Sequence, residues 1–392
     1  MLDMLFWNGR ILTQDGVLDV GHVGAKDGRI VSVHEGYPNQ RVEAHRRLDM
    51  RGATLAPGLI DLHTHGADGH DAMDATPTAL EGMARFAARH GVTAFLAATM
   101  TSEESAVLAA LRNIKGHMRR DLAGARLLGA YVEGPFLSPA RAGAHEQSVL
   151  RAPTPREVKA ILETGAARVV VIAPELPGAG DAIERLAQAG VIAALGHTAA
   201  SYGQMVAAAE AGATLVTHLF NAMTSLHHRN PGPVGAALTV DGLTCELIAD
   251  LVHIHPAVLH LAVRAKGLDG IALVTDAMRG AGLPDGEYSL GGLPVVVANG
   301  SARLQDGRLA GSVLTMDRAV RNLKDVMEIS LAEAWRLGSA VPARVLGLAD
   351  TKGAIAEGMD ADLVVCDAEG RVRATMVAGR IVHGADAMGE DV

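Results

Sequence analysis

The stretch Leu55-Ala56-Pro57-Gly58-Leu59-Ile60-Asp61-Leu62-His63-Thr64-His65-Gly66 is apolar for most of its length and then ends on two histidines one residue apart. A short, near-continuous apolar run bounded by glycine reads as a strand buried on both faces. Side chains alternate along a strand, so His63 and His65 point the same way at its C-terminal end. Seven further runs of this kind follow, at 92–99, 127–132, 168–173, 191–195, 214–218, 245–251 and 271–275. Most of the gaps carry a helical pattern, at 77–90, 103–119, 155–163, 182–189, 202–211 and 256–266. Eight buried strands alternating with helices predict an α/β protein of the (β/α)8 TIM-like barrel type, since parallel strands need crossover helices. An open, doubly wound sheet competes with this reading, but no glycine-rich phosphate loop follows the first strand.

Both ends of the chain look different. Residues 4–12, 17–25 and 29–34, and again 361–367 and 372–383, are short β runs broken at Gly16, Asp27-Gly28, Glu369-Gly370 and Gly379. Neither end is large enough to fold alone, so the two together predict a small β-sandwich domain. The expected division is 1–53 and 349–392 for that domain and 54–348 for the barrel. After the eighth strand, 285–309 reads as an inserted hairpin, and helices at 312–326 and 331–346 close the barrel.

Composition narrows the function. Hydrophobic residues make up 49% of 392 and aromatics 3%, which suits a close-packed α/β core. A net charge of −9 argues against a nucleic-acid partner, while a few local donors suffice for a small anion. Cys245 and Cys366 are the only cysteines, so no disulfide framework is expected and a reducing, cytoplasmic setting fits. The first ten residues lack a signal-peptide pattern and no long apolar run suggests a membrane span.

Polar residues of a particular kind gather where the apolar runs end. Besides His63 and His65, the third run ends in Tyr131-Val132-Glu133, the fifth in Leu195-Gly196-His197, the sixth in Val216-Thr217-His218 and the eighth in Val274-Thr275-Asp276. In a parallel barrel these C-terminal ends share one rim, where such barrels carry their active sites. A lone histidine at a strand end is more often structural than a ligand. Four imidazoles and two carboxylates converging from five strands are the donor set of a divalent metal. Further on, His253 reads as ligand-binding and His255, just before Pro256, as structural.

These residues resemble the amidohydrolase superfamily and, within it, the N-acetylglucosamine-6-phosphate deacetylases. The resemblance spans nearly the whole chain. It rests on the run from Ala56 to Gly66, on Glu133-Gly134-Pro135-Phe136-Leu137 with Gly143-Ala144-His145, and on Ala173-Pro174-Glu175. It rests further on Leu195-Gly196-His197-Thr198, Thr217-His218-Leu219-Phe220-Asn221-Ala222-Met223, Val274-Thr275-Asp276-Ala277 and Leu309-Ala310-Gly311-Ser312. Related hydantoinases bridge their metals with a carboxylated lysine; no lysine ends a barrel strand here, and Glu133 stands in that place.

The resemblance implies a metal held by Glu133, His197 and His218, a second one at His63 and His65, and Asp276 as catalytic acid/base. One or two divalent ions per chain are implied, zinc foremost, with iron, manganese or cobalt as alternatives. His145 matches the residue that polarises the substrate carbonyl. Ala144, Asn221, Ala222, Arg229, His253, Leu309, Ala310 and Gly311 match positions that contact the amino-sugar phosphate. The chain departs from the family at Ala144, where members often have threonine. The reaction implied is hydrolysis of the acetamide of N-acetylglucosamine 6-phosphate. The galacto epimer, or another amide on the same metal site, is the alternative. A homodimer is implied, with Arg229 reaching a neighbouring site. A catalytically silent barrel or a plain sugar-binding module has no need of the full set of ligands together with Asp276.

Overall fold

The computed structural model describes residues 1–39, 41–385 and 389–390. Eight parallel strands follow one another in chain order: Leu59–Thr64, Val92–Thr99, Arg126–Val132, Ala167–Ile172, Ile192–Leu195, Leu215–Val216, Thr244–Leu247 and Ile271–Leu273. The ring shuts where the Asp276 N–H donates to the His63 carbonyl at 2.8 Å and the His65 N–H donates to the Ala277 carbonyl at 2.9 Å. Strand burial is complete where the apolar run is unbroken, as along all eight residues of Val92–Thr99. Helices cover the outside and start where the sequence supplies caps. Thr76 accepts the Ala79 N–H in front of Pro77, and Ser201 forms a capping box with Gln204. No helix among the described residues is long and apolar enough to cross a membrane.

The chain ends meet in one nine-stranded sheet, in which Leu2–Leu12 pairs with Val17–Lys26, Ala44–Asp49 and Thr54–Pro57. Leu363–Cys366 from the far end pairs with Thr54–Pro57. This sheet has its own core, built on Phe6, Ile11, Ile30, Leu48, Leu363 and Met376. The insertion after the eighth barrel strand is a three-stranded sheet, Gly286–Leu290, Leu293–Ala298 and Ser301–Leu304, packed over Met100 and Met278.

Several elements differ from the sequence reading. The run 55–63 is two strands, because Gly58 lies against Thr93, where a Cβ would come within 2.0 Å of the Thr93 hydroxyl. Its first half joins the end sheet and only Leu59–Thr64 enters the barrel. The helix expected over 331–346 is broken into Leu331–Arg336 and Ala340–Val345. Between them the Gly338 carbonyl turns to accept the Ile60 N–H at 2.8 Å, which ties the break to the first barrel strand. Helix Gly232–Thr239 had no sequence signal: its glycines and proline are poor helix formers, and burial against the barrel overrides them.

Candidate active site

The strand-end residues come together in a cleft of about 290 Å³ at the C-terminal rim. Glu133 is at its centre, 2% exposed. Its Oε1 lies 3.2 Å from His197 Nε2 and 3.0 Å from His218 Nε2. Its Oε2 lies 3.1 Å from His65 Nε2, 3.5 Å from His63 Nε2 and 3.4 Å from His145 Nε2. One carboxylate thus presents an oxygen to each of two histidine pairs. Within the pairs the Nε2 atoms are 3.1 Å apart for His197 and His218, and 3.2 Å for His63 and His65. Two groups, His63-His65-Glu133 and Glu133-His197-His218, are able to hold a metal ion. The donor set fits a divalent cation: all five side chains are buried and all four Nε2 atoms lie within 3.5 Å of a Glu133 oxygen. Burial alone would push the Glu133 carboxyl up, but the charge of His63 and the hydrogen bonds of His145, His197 and His218 hold it well below the usual carboxylate range.

The backbone leaves the strand conformation where the ligands stand. His197, His218 and Asp276 have φ of 47°, 26° and 49°, a left-handed region that costs a non-glycine residue on the order of 1–3 kcal/mol. Surrounding contacts hold these turns. Glu175 accepts the Thr198 hydroxyl at 2.5 Å and the Ala199 N–H at 2.6 Å, pinning the segment after His197. The Arg141 carbonyl lies 2.9 Å from His197 Nδ1 and leaves Nε2 for the cleft.

Asp276 Oδ1 is 3.2 Å from His65 Nε2. Burial raises its proton affinity, but the charge of His63 and the hydrogen bond of His65 bring it to about 2, so the group is ionised. His145 is held from behind: its Nδ1 accepts the Thr101 N–H at 3.3 Å and lies 2.7 Å from the Thr101 hydroxyl. A neutral ring with an accepting Nδ1 carries its proton on Nε2, toward the cleft. Burial keeps it neutral, lowering it to about 4. Gly134 makes this support possible, because a Cβ there would fall 1.9 Å from the Thr101 hydroxyl.

Of the other expected residues, Ala144, Asn221, Ala222, His253, Leu309 and Gly311 line the same cleft. Asp250 Oδ2 grips His253 Nδ1 at 2.7 Å and orients the ring, while His255 caps the next helix. Ala310 is fully buried in the hairpin core instead of lining the cleft. Arg229 is exposed outside the cleft, with Nη1 2.8 Å from His228 Nε2. The sequence reading missed Met100, Leu290 and Arg308, which line the cleft; Arg308 donates to the Gly143 carbonyl. It also missed Glu246, a carboxylate in the middle of the seventh strand. That residue was visible as a charge among the apolar residues Cys245 to Ala249.

A barrel with this rim chemistry defines a metal-dependent hydrolase, and the amidohydrolase family model matches residues 54–382. The chain belongs to the amidohydrolase family. It is 39% identical over 379 residues to the N-acetylglucosamine-6-phosphate deacetylase of Bacillus subtilis (strain 168), with 95% of each chain covered. It is equally identical, over 374 residues, to the N-acetylgalactosamine-6-phosphate deacetylase of Escherichia coli O157:H7, with 95% of this chain and 97% of that one covered. A solved structure of a mutant N-acetyl-D-glucosamine-6-phosphate deacetylase from Mycobacterium smegmatis, in complex with N-acetyl-D-glucosamine-6-phosphate, matches at a TM-score of 0.91. Identity there is 37%, over 97% of this chain and 99% of that one.

Proposed function

We propose that this chain hydrolyses the acetamide of N-acetylglucosamine 6-phosphate, giving glucosamine 6-phosphate and acetate. The observation that carries the reading is Glu133, which offers one oxygen to each histidine pair with Asp276 and His145 beside it. Glu133, His197 and His218 would hold a divalent cation and His63 and His65 a second, and the ions would supply Lewis acidity to the reacting groups. Zinc is the first choice, and iron, manganese or cobalt also suit nitrogen and oxygen donors. The ionised Asp276 accepts the proton of the attacking water and delivers it to the amine, which cannot leave as an anion. His145 donates from Nε2 to the oxygen that becomes negative in the transition state. Asn221, His253 and the backbone around Ala144, Ala222, Leu309 and Gly311 seat the sugar.

The division at 53/54 and 348/349 then marks off the catalytic barrel, save that Thr54–Pro57, on the barrel side of it, pairs into the end sheet. Both cysteines are buried free thiols, pushed up by burial to about 12, which fits a cytoplasmic enzyme. Arg229 lies outside its own cleft, so the reading assigns it to a phosphate in a neighbouring chain of a homodimer. Mixing Arg229→Ala with Asp276→Asn subunits then restores about a quarter of wild-type activity, because half the dimers are mixed and each holds one intact site. No recovery removes the shared site.

Steady-state rates on the 6-phosphates of N-acetylglucosamine, N-acetylgalactosamine and N-acetylmannosamine test the substrate. The Escherichia coli relative supports the galacto epimer as a second reading. The highest kcat/KM falls on the gluco compound if the main reading holds, and a galacto preference overturns it.

A further inference from the structure

Glu246 is a fully buried carboxylate in the strand Thr244–Leu247, directly behind the two histidine pairs. Its Oε2 lies 3.2 Å from His63 Nδ1 and accepts the His218 N–H at 3.1 Å and the Tyr131 hydroxyl at 3.3 Å. Tyr131 is fixed in turn by Thr217 at 2.8 Å, and its ring stacks on His63 with centroids 4.0 Å apart. Glu246 Oε1 meets no hydrogen-bond partner among the described residues. A buried carboxylate with an unpaired oxygen is costly unless positive charge lies close by. Nothing in the chemistry described above uses it.

The four histidines of the two pairs are supported unequally. Among the described residues His65 Nδ1 and His218 Nδ1 are buried without hydrogen-bond partners, whereas His197 Nδ1 meets a carbonyl and His63 Nδ1 meets the Glu246 carboxylate. A carboxylate on the far nitrogen of an imidazole fixes its tautomer and makes the near nitrogen a stronger donor. A carbonyl fixes the tautomer but brings no charge.

We infer that Glu246 is the positioning residue that makes His63 a metal ligand and sets the affinity of the His63-His65-Glu133 site for its cation. This rests on the two-cation reading above. Through the His218 N–H, the same oxygen also ties that site to the neighbouring one.

The test is Co²⁺ binding to metal-stripped protein, followed by calorimetry and by the visible absorption of the bound ion. Wild type takes up two ions. One of the two dissociation constants is assigned to the His63-His65 site because it disappears in the His63→Ala, His65→Ala variant. Glu246→Gln keeps the shape, raises that constant about 10–100-fold and leaves the other unchanged. Metal-free Glu246→Gln stays folded, with an unfolding temperature no higher than that of wild type, since His63 loses its buried partner. Two unchanged constants overturn the inference. So do two constants weakened alike together with a lower unfolding temperature, which marks a merely structural residue. If Glu246→Gln does not fold, Tyr131→Phe, which removes one hydroxyl from Glu246 and keeps the ring, gives the same split at smaller size. Two unchanged constants there overturn it equally. Wild type that takes up one ion only also overturns the inference, and leaves deacetylation at Glu133-His197-His218 standing. Loss of the deacetylase reading with the split intact strikes the substrate and leaves Glu246 in its role.

Discussion

His63 stands at the end of the strand Leu59–Thr64 and His65 just beyond it, while His197 and His218 come from two strand ends whose backbone has turned into the left-handed region. The first pair is placed by strand periodicity and needs no strain. In the second pair, Glu175 and Arg141 hold the turn at His197, and Glu246 accepts the His218 N–H. Glu133 joins the two, one oxygen to each. The costly half is also the half proposed above as the principal metal site, in keeping with strain being stored where function requires a fixed geometry.

Removing what the two halves share has the largest expected effect. Glu133→Gln takes a ligand from both groups at once, so metal content and turnover fall together. The loss exceeds the roughly 10–100-fold that a residue behind a ligand costs. Metal analysis and steady-state rates check this, and a variant with near-normal rate breaks the idea of a common ligand.

Asp276→Asn comes next. The side chain keeps its shape and loses its capacity to take a proton, so kcat falls about 10²–10⁴-fold while both ions stay bound. Near-normal kcat moves the proton transfer to another group.

The regular half is tested by His63→Ala with His65→Ala. Bound metal drops toward one ion per chain and the protein stays folded, because both side chains end in the cleft cluster and not in the apolar core. Unchanged metal content makes this pair structural and leaves the strained half as the whole centre.

Asp317 marks the contrast with a buried carboxylate that serves stability alone. It lies far along the chain from the ligands, 3.1 Å from His90 and 2.6 Å from Arg321. Burial raises its proton affinity, but the hydrogen bonds of His90 and Thr315 and the nearby charges outweigh this and bring it to about 2 from an ordinary 3.8. A carboxyl lowered on folding stabilises fully above about pH 4 and loses that contribution as the pH falls toward 2. Asp317→Asn costs about 1.5–3 kcal/mol at pH 7. Thermal unfolding reads this as a Tm lower by a few degrees, and kcat stays unchanged. A fall in metal content instead would connect this pair to the rim.

The same contrast explains what the sequence reveals. His63 and His65 are legible locally, since alternation alone puts them on one side. Glu133, His197, His218 and Asp276 are legible only after the barrel is inferred, because nothing but shared strand-end position links them. Glu246 is not legible in this way, because it stands inside a strand rather than at its end and its contact with His63 crosses the barrel, 183 positions away along the chain. Arg308 escaped because it arrives from the inserted hairpin, whose placement over the cleft follows from packing on Met100 and Met278 rather than from any local pattern. Helix Gly232–Thr239 and the break at Gly338 were hidden for a related reason: tertiary burial and a bond to Ile60 override what those residues do in isolation.

The most direct measurement is acetate release from N-acetylglucosamine 6-phosphate by protein stripped of metal and then titrated with Zn²⁺, with bound metal counted at each step. Stripped protein is inactive, and turnover returns as the ion is taken up. Full turnover by protein shown to hold no metal contradicts the account.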